Sequence, residues 1–496
     1  MANDEKMLFH WRNLPWVISL GERRRSVEWE EHHMWFVETL KKEKRCLFIV
    51  EIGTEPAGML RYDFIDGTAV EISIFLMPEI VGHGVGTRAF LISLPRMLSW
   101  RPASMIIARV LDGNKRSSNF FEKLGFIIDG LASSSSVTVL TRHINDIQHS
   151  RPFVGPMEAE AVSAVIASGH LVQGQMIRRL EQYWCQLTSM DSAAGVGSGV
   201  GALRLALLAL GIEQGDEVIV PAYSCVALIN SVLALGATPV LADVLMDNWT
   251  LSPDDAQRCI TNKTKAIIAV HLFGASAAMP VLIDLGLPVV EDCAHGIGGR
   301  CGARPFGGAG TVSISSFYAT KMIAAGEGGI VAAHDSAIID RVLTARDHGD
   351  QLPNRHHLND KMTDIEAALA YEQLKRLSEM LSLRAERAER YNSWLAALIR
   401  PGLIVLPECS ADRIWYRYVI RLVHHSAPQI CEWMAEHGVR VEQPVWDLRA
   451  ASLWADDLNV TAQAFDRVIS LPLYPDLDEL DQERVVTTFV HCIETL

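Results

Sequence analysis

A lysine stands at position 321 in the run Ser315-Ser316-Phe317-Tyr318-Ala319-Thr320-Lys321, between the strand-like Gly310-Thr311-Val312-Ser313-Ile314 and the turn Gly326-Glu327-Gly328-Gly329. Lysines are ordinarily solvated, and a partly buried amine loses proton affinity through desolvation, which makes it a nucleophile toward aldehydes. A Schiff base with pyridoxal phosphate is the chemistry this suggests; a surface lysine at a strand end is the plain alternative. Two other stretches could serve the same ligand. Gly197-Ser198-Gly199-Val200-Gly201-Ala202-Leu203 precedes a helical run ending near Leu210, and small residues at a helix start offer backbone N–H groups and a favourable dipole to a phosphate. Glycines before a helix are also often only a turn. Pro288-Val289-Val290-Glu291-Asp292 is an apolar strand ending in carboxylates, where Asp292 could pair with a protonated pyridine nitrogen or simply cap the next turn. The Ser316 hydroxyl could reach the same phosphate.

A separate constellation lies near the start of the chain. Gly82-His83-Gly84-Val85-Gly86-Thr87 follows the strand-like Glu71 to Leu76 and opens a helix, so its amides could wrap a pyrophosphate as coenzyme A requires. A dinucleotide site competes, but the segment lies too far from the start of a βαβ unit to suit one. The glycines gain meaning from a second stretch, Val110-Leu111-Asp112-Gly113-Asn114 running on to Phe120-Phe121-Glu122-Lys123-Leu124-Gly125-Phe126. Glu71 could orient a water as base, or be a strand-end surface glutamate.

These residues need a scaffold, and the patterning supplies one. Over residues 7–142, strands are predicted at Leu47–Glu51 and Val70–Leu76, and amphipathic helices at Trp29–Leu40 and Thr87–Leu98, which reads as a self-contained segment. The polar connector from His143 to Pro152 marks a boundary. Beyond Gly155, strands at Glu217–Val220, Thr238–Ala242, Ala266–Val270, Pro288–Glu291 and Thr311–Ile314 alternate with helices, the rhythm of a mainly parallel sheet. One long helix is predicted from Thr363 to about Leu398, leading into a smaller C-terminal α/β domain. The expected domains are 1–145, 151–375 and 376–496.

Composition narrows the classes. A chain of 496 residues, 49% hydrophobic and 21% charged, suits a globular enzyme of several domains. Its net charge of -14 argues against nucleic-acid binding, and Arg23-Arg24-Arg25 is the one basic run. The 9 cysteines show no C-x-x-C pair and no zinc spacing, so reduced thiols in a cytoplasm and no metal are expected. The polar start, Met1 to Lys6, leads us to expect no signal peptide. Val218 to Leu245 is apolar, but Pro221, Asn230, Gly236, Pro239 and Asp243 break it into soluble α/β elements rather than a membrane span.

Residues 152–496 resemble the DegT/StrS family of sugar-nucleotide aminotransferases. The resemblance rests on Ser168 to Gly174, Gly211 to Val218, Glu291-Asp292-Cys293-Ala294-His295, Ser316 to Gly329 and Ser470-Leu471-Pro472-Leu473-Tyr474-Pro475. It implies a fold-type I pyridoxal phosphate enzyme in which Lys321 binds the cofactor and shuttles a proton. Asp292 would hold the ring nitrogen; Ser316 and the backbone of Ser198, Gly199 and Val200 would bind the phosphate. Asn359, in Leu358-Asn359-Asp360-Lys361-Met362, matches an asparagine that reaches across a dimer interface to the phosphate, and is otherwise a loop residue before a helix. The chain departs from the family at Val200, often threonine; at Cys225, often an aromatic stacked on the ring; and at His295, often glutamine. Some relatives carry histidine in place of the lysine and act as dehydratases, so Lys321 implies transamination.

Residues 7–142 resemble the GNAT family of acetyl-CoA-dependent N-acetyltransferases. By that likeness the amides of Gly82, His83, Gly84, Val85, Gly86 and Thr87 bind pyrophosphate, and Asn114 contacts the pantetheine arm. Trp11-Arg12-Asn13 and Glu31 to Phe36 look closer to members acting on amino-sugar nucleotides. Val81 replaces a usual arginine or glutamine, and Phe121 a tyrosine that often protonates the leaving thiolate. Together the likenesses imply an α/β protein: a GNAT-like domain, then a large domain with a mainly parallel sheet and a small C-terminal domain. The expected activity is amino transfer from glutamate to a keto-deoxysugar nucleotide in a homodimer, then N-acetylation with acetyl-CoA. The rivals are an aminotransferase with a non-catalytic acyl-CoA-binding or sensor domain, and an aminotransferase acting on a cyclitol-type ketone. His348, Gln443 and Trp446 are candidates for the sugar pocket, with ordinary surface roles as the alternative.

Overall fold

The computed structural model describes residues 2–20, 25–40, 44–65, 68–134, 136–144, 146–347, 358–399, 401–455 and 457–496. They form two compact units: Met1–Ile147 with Met434–Val439 and Glu479–Leu496, and Gln148–Trp433 with Arg440–Asp478.

The first unit opens with helices α1 (Ala2–Arg12), α2 (Pro15–Leu20) and α3 (Trp29–Leu40). Strands β1 (Arg45–Ile52), β2 (Glu55–Phe64) and β3 (Ala69–Leu76) follow, then α4 (Val85–Trp100), β4 (Met105–Leu111), α5 (Lys115–Lys123), β5 (Ile127–Ile128) and β6 (Val137–His143). The sheet order is β1-β2-β3-β4-β6-β5. Alternation decides the faces: Leu60, Tyr62, Val70, Ile72, Ile106 and Ala108 are buried with Phe90, Leu94 and Phe121 in one core. The β3–β4 pair is parallel and is registered only from Ala69↔Met105 to Ile72↔Ala108, although both strands run on.

The second unit alternates helices and strands: α6 (Pro156–Ser168), α7 (Gln175–Thr188), β7 (Ser192–Val196), α8 (Gly199–Ala209), β8 (Glu217–Pro221), α9 (Ala227–Leu233), β9 (Thr238–Ala242) and α10 (Pro253–Arg258). Next come β10 (Thr264–Val270), α11 (Met279–Ile283), β11 (Val289–Asp292), the short pair β12 (Arg300–Cys301) and β13 (Arg304–Pro305), then β14 (Val312–Ser316), β15 (Gly329–Ala333) and α12 (Ser336–Arg346). The sheet order is β7-β15-β14-β11-β10-β8-β9. β15 alone runs antiparallel to its neighbours, so the mainly parallel sheet expected from the rhythm is present. Its central strands read as near-continuous apolar runs because both faces are covered, as in Ala266–Val270, where every residue is buried. The six co-directional strands all end at one edge, and it is there that Ser198, Cys225, Asp292 and Ser316 follow or end their strands.

The helix expected over 363–398 is two helices, α13 (Asp364–Lys375) and α14 (Leu377–Leu395), with a short 3₁₀ turn after them. Thr363 and Glu366 cap α13 reciprocally. The break falls at Arg376, whose guanidinium reaches Glu158 Oε1 at 2.8 Å and Glu379 Oε2 at 3.0 Å. β16 (Ile404–Val405), β17 (Tyr418–Leu422), α15 (Ala427–Glu436), α16 (Asn459–Arg467) and β18 (Val468–Leu471) complete the C-terminal region, with a three-stranded antiparallel sheet.

The polar connector is packed: Ile147 is buried and bridges Val439, and His149 is buried with Nε2 2.8 Å from Ser470 Oγ. One expectation needs correction: the first segment is not self-contained. The last helix, α17 (Glu479–Thr495), lies along α4, Leu480 packs against the first core, and Arg96–Glu494 and Arg142–Asp481 pair at 3.2 and 3.5 Å. The polarity of the connector concealed the first fact, and the long separation in sequence the second.

Candidate functional site

Lys321 is half-buried in a tight loop that follows β14, closed by Phe317 N–H to Gly328 C=O at 2.9 Å and Ala319 N–H to Gly326 C=O at 3.1 Å. Gly328 has φ of 120°, and a Cβ there would lie 2.7 Å from Met362 Cε, so the loop requires glycine. Lys321 Nζ lies 2.8 Å from His295 Nε2 and 5.4 Å from the centre of the Tyr416 ring. The imidazole stacks near-parallel on Tyr416, with centroids 4.2 Å apart, and on Phe273 at 5.9 Å. Desolvation, with the Lys321 and Arg417 charges, pushes His295 well below the ordinary histidine range and so favours the neutral ring. Burial acts to raise the Tyr416 phenol, but Lys321, Arg417 and hydrogen bonds to Arg417 and Thr320 outweigh it and lower the phenol below its usual value.

Asp292 ends β11 and is 3% exposed. Its Oδ1 accepts from Ala294 N–H at 2.8 Å, so the turn-capping role is real, and the carboxyl is also held inside the site. Burial raises its pKa, against the Ala294 N–H and the Lys321 charge. A carboxylate here needs a positive partner, and a protonated ring nitrogen is one. The neighbouring Glu291 serves the scaffold. Its oxygens accept the N–H groups of Gly307, Ala309 and Gly310 at 2.7, 2.9 and 2.7 Å, and Oε1 lies 2.9 Å from His271 Nε2. His271 Nδ1 accepts from Ala277 N–H, so Nε2 carries the proton and donates to Glu291. The His271, Glu291 and Cys293 cluster is therefore already satisfied without an ion.

The phosphate end also assembles. Ser198 caps α8, its Oγ accepting from Gly201 N–H at 3.0 Å. A Cβ on Gly199 would sit 2.5 Å from Ser316 Cβ and 2.7 Å from Ser316 Oγ, which places that hydroxyl at the N-terminal turn of α8. Ser198, Gly199 and Ser316 thus converge, with Val200 exposed on the first turn. Asn359 is exposed beside Asp360, whose carbonyl accepts from Gly197 N–H at 2.6 Å. Cys225 is exposed just before α9. These donors and the buried carboxylate fit a phosphorylated pyridine ring over Lys321.

The first unit offers a slot rather than a cluster. Beyond Ile72 and Ala108, β3 and β4 lose register, and the loops after them carry Gly82–Thr87 and Asn114. Gly82 and Gly84 have φ of 93° and 76°, with open space where a Cβ would stand, and Gly84 caps α4. Gly86 is buried, with Phe120 3.0 Å from a would-be Cβ; His83 is exposed, and Val85 and Thr87 are half-buried. Asn114 Oδ1 caps α5 through Ser117 N–H at 3.2 Å, leaving its amide nitrogen for a ligand. Phe121 is 4% exposed and packs on Phe126, so no hydroxyl is offered there. Glu71 pairs with Arg109 at 3.0 Å. Asn13 and His32 tie α1 toward α3: Asn13 clamps Val27, and buried His32 meets the Glu5 carbonyl at 2.9 Å.

Sequence reasoning missed Tyr416, Arg417, Thr320 and Phe273. The only cue was an arginine inside the aromatic run Trp415-Tyr416-Arg417-Tyr418. Gln443 is committed to the Phe465 carbonyl at 2.7 Å, Trp446 is 83% exposed, and His348 lies outside the described residues.

Comparison with known proteins gives the families. Residues 154–490 match the model of the DegT/DnrJ/EryC1/StrS aminotransferase family, and residues 6–126 that of the Acetyltransferase (GNAT) family. Among solved structures, DesV of S. venezuelae, in complex with a ketimine intermediate, is 30% identical, with a TM-score of 0.63 over 68% of this chain and 95% of that one. NtdA of Bacillus subtilis, with bound cofactor PMP, is 28% identical over 70% and 86%, with a TM-score of 0.63. An aminotransferase from Psychrobacter cryohalolentis is 26% identical over 70% and 98%, with a TM-score of 0.65.

Proposed function

We propose, for a chain that belongs to the DegT/DnrJ/EryC1/StrS aminotransferase family and carries a GNAT domain ahead of it, an amino transfer from glutamate to a keto-deoxysugar nucleotide, followed by N-acetylation of the new amine. Pyridoxal phosphate, which the family uses, supplies when bound an aldehyde for the amine and an electron sink. The observation that carries the reading is Lys321 Nζ held in one site with buried Asp292 and with the α8 N-terminus that Ser316 faces. Lys321 takes and returns the proton at the substrate carbon that bears nitrogen, and His295 Nε2 holds Nζ in place. Asp292 keeps negative charge at the ring nitrogen, while Ser198, Ser316 and the first α8 amides bind the phosphate. Glutamate leaves as its 2-oxo acid, and the sugar carbonyl becomes an amine.

In the first unit, the amides of Gly82–Thr87 bind the pyrophosphate of acetyl-CoA and Asn114 meets its pantetheine arm. The uncharged sugar amine forms the new C–N bond as the thioester C–S bond breaks, and the amine proton ends on the thiol. Such aminolysis needs orientation more than a strong acid, which accords with Phe121 at the acid's position. The same phenylalanine, and the Glu71–Arg109 pair, favour the second reading, a non-catalytic acyl-CoA-binding domain. No helix among the described residues is long and apolar enough to cross a membrane. We place the protein in the cytoplasm as a homodimer, with exposed Asn359 turned to a second copy's phosphate.

Borohydride treatment of cofactor-loaded protein should fix the cofactor's mass on the peptide carrying Lys321; no added mass sinks the aminotransferase site. Mass spectrometry of products from a panel of keto-sugar nucleotides, with glutamate and acetyl-CoA, should show an acetamido sugar and free thiol. An amino sugar without thiol release would select the second reading.

A further inference from the structure

Asp360 places a negative charge beside the seat proposed for a phosphate. A Cβ on Gly201 would meet Asp360 Cγ at 3.3 Å and Oδ1 at 3.4 Å. The same point lies 3.2 Å from Ser198 Oγ, a group assigned above to the phosphate. Carboxylate and hydroxyl thus flank one side of the first turn of α8. The Asp360 side chain is 15% exposed, so salt and water screen it little. A carboxylate at a helix N-terminus gains from the dipole, and there it competes with any other anion that the helix end would bind. Nor is it free to move off. The Asp360 N–H donates to the Arg346 carbonyl at 3.0 Å, and its own carbonyl accepts from Gly197 N–H at 2.6 Å.

Arg204 resolves the conflict. It stands about one turn along α8 from Gly201, and its Nη2 donates to Asp360 Oδ2 at 2.6 Å. Its Nε is buried and makes no hydrogen bond among the described residues, so the guanidinium is committed to this carboxylate. The nearby cations go elsewhere. Lys361 Nζ reaches Asp347 Oδ1 at 2.9 Å, and Arg346 Nη1 reaches Glu181 Oε1 at 3.5 Å. Asp360 therefore takes its counter-charge from the very helix whose end it faces.

We propose that Arg204 is a positioning residue for the cofactor's phosphate: paired with Asp360, it cancels a carboxylate at the α8 N-terminus and leaves the helix dipole to the phosphate. The proposal rests on the phosphate seat proposed above. Its signature is a reversal of sign. Removing the cation weakens phosphate binding, and removing the carboxylate as well repairs it. An ion pair that only braces the fold behaves otherwise, because breaking either half leaves the other partly buried and unpaired.

The test uses the full chain stripped of cofactor and titrated with pyridoxal phosphate, or with pyridoxal, which has the ring and aldehyde but no phosphate. Binding is read from the absorbance of the bound ring. Arg204→Met should weaken pyridoxal phosphate about tenfold and leave pyridoxal within about twofold of wild type. Arg204→Lys keeps a cation and should stay within about threefold. Asp360→Asn should bind pyridoxal phosphate at least as tightly as wild type, and the double variant should return to within about threefold of it. Unchanged affinity in Arg204→Met, an equal loss for pyridoxal, or a double variant no better than Arg204→Met overturns the proposal. Where Arg204→Met does not fold, Asp360→Asn decides: tighter or equal binding supports the proposal, and weaker binding overturns it. Borohydride fixation at Lys321 in the wild type separates these outcomes from failure of the aminotransferase reading.

Discussion

The two candidate sites are built by opposite means. In the second unit, side chains carry the chemistry. Asp292 with His295, Ser316 with Lys321, and Tyr416 come from three separate stretches and meet at one edge of a mainly parallel sheet. Several are charged, and burial sets their proton affinities. In the first unit, the backbone carries it: two strands part, glycines with positive φ expose amides, and the phenylalanine at the acid's place is core. A site made of buried charges should fail at single side chains. A site made of amides should fail only when the backbone is strained or the slot is filled.

Lys321→Ala should sharpen this contrast most. Amino transfer should fall at least about 10⁴-fold, since the amine proposed to bind the cofactor is removed, while acetyl-CoA binding by calorimetry stays unchanged. Loss of both would break the contrast. Asp292→Asn should cost roughly 10²- to 10³-fold in amino transfer. Its effect on stability runs the other way. Burial raises the folded pKa of Asp292 above the unfolded value, so its contribution is present below the unfolded pKa and lost as pH rises through the folded one. Cofactor-free Asp292→Asn should therefore melt no lower than wild type at neutral pH, and its advantage should vanish on acidification. A lower Tm at neutral pH would mean that the carboxylate is already compensated.

Truncation after Asp478 tests the first unit's reliance on α17. Val485, Phe489 and Cys492 are fully buried, and Ile493 nearly so. Each large apolar side chain buried is worth about 1.5–3 kcal/mol, comparable in sum with a domain's net stability. Acetyl-CoA binding should be lost and protease sensitivity of residues 1–147 should rise; intact binding would show that the first segment stands alone. The smallest effect belongs to Gly84→Ala. A φ of 76° costs an L-residue about 1–2 kcal/mol, so acetyl-CoA should bind roughly tenfold more weakly while amino transfer is untouched.

Much of the site was legible in the sequence because its signals are local. A glycine run before a helix, carboxylates ending an apolar strand, and a lysine after a strand each announce themselves within about ten residues. The strand rhythm likewise foretold the parallel sheet, because strands covered on both faces must be apolar throughout. What escaped were partners with no local signal. Tyr416 looks like one aromatic among several until it stacks on His295, and His149 looks like linker until it is buried against Ser470. The one helical pattern divides at Arg376, whose guanidinium is held by Glu158, far away in the chain.

The sequence alone, then, determined the chemistry on offer: a lysine after a strand, a carboxylate ending another, and two glycine runs before helices, to which we assign a nucleophile, a ring partner and two phosphate cradles. Residue type sets reactivity, and short-range periodicity sets the element on which each residue rides. The tertiary structure alone decided which groups surround Lys321, that Asp360 meets Arg204 at the start of α8, and that the last helix belongs with the first unit. Those outcomes depend on the packing of segments hundreds of residues apart, and hydrophobic burial, which drives that packing, is non-directional and leaves no spacing in the chain to read.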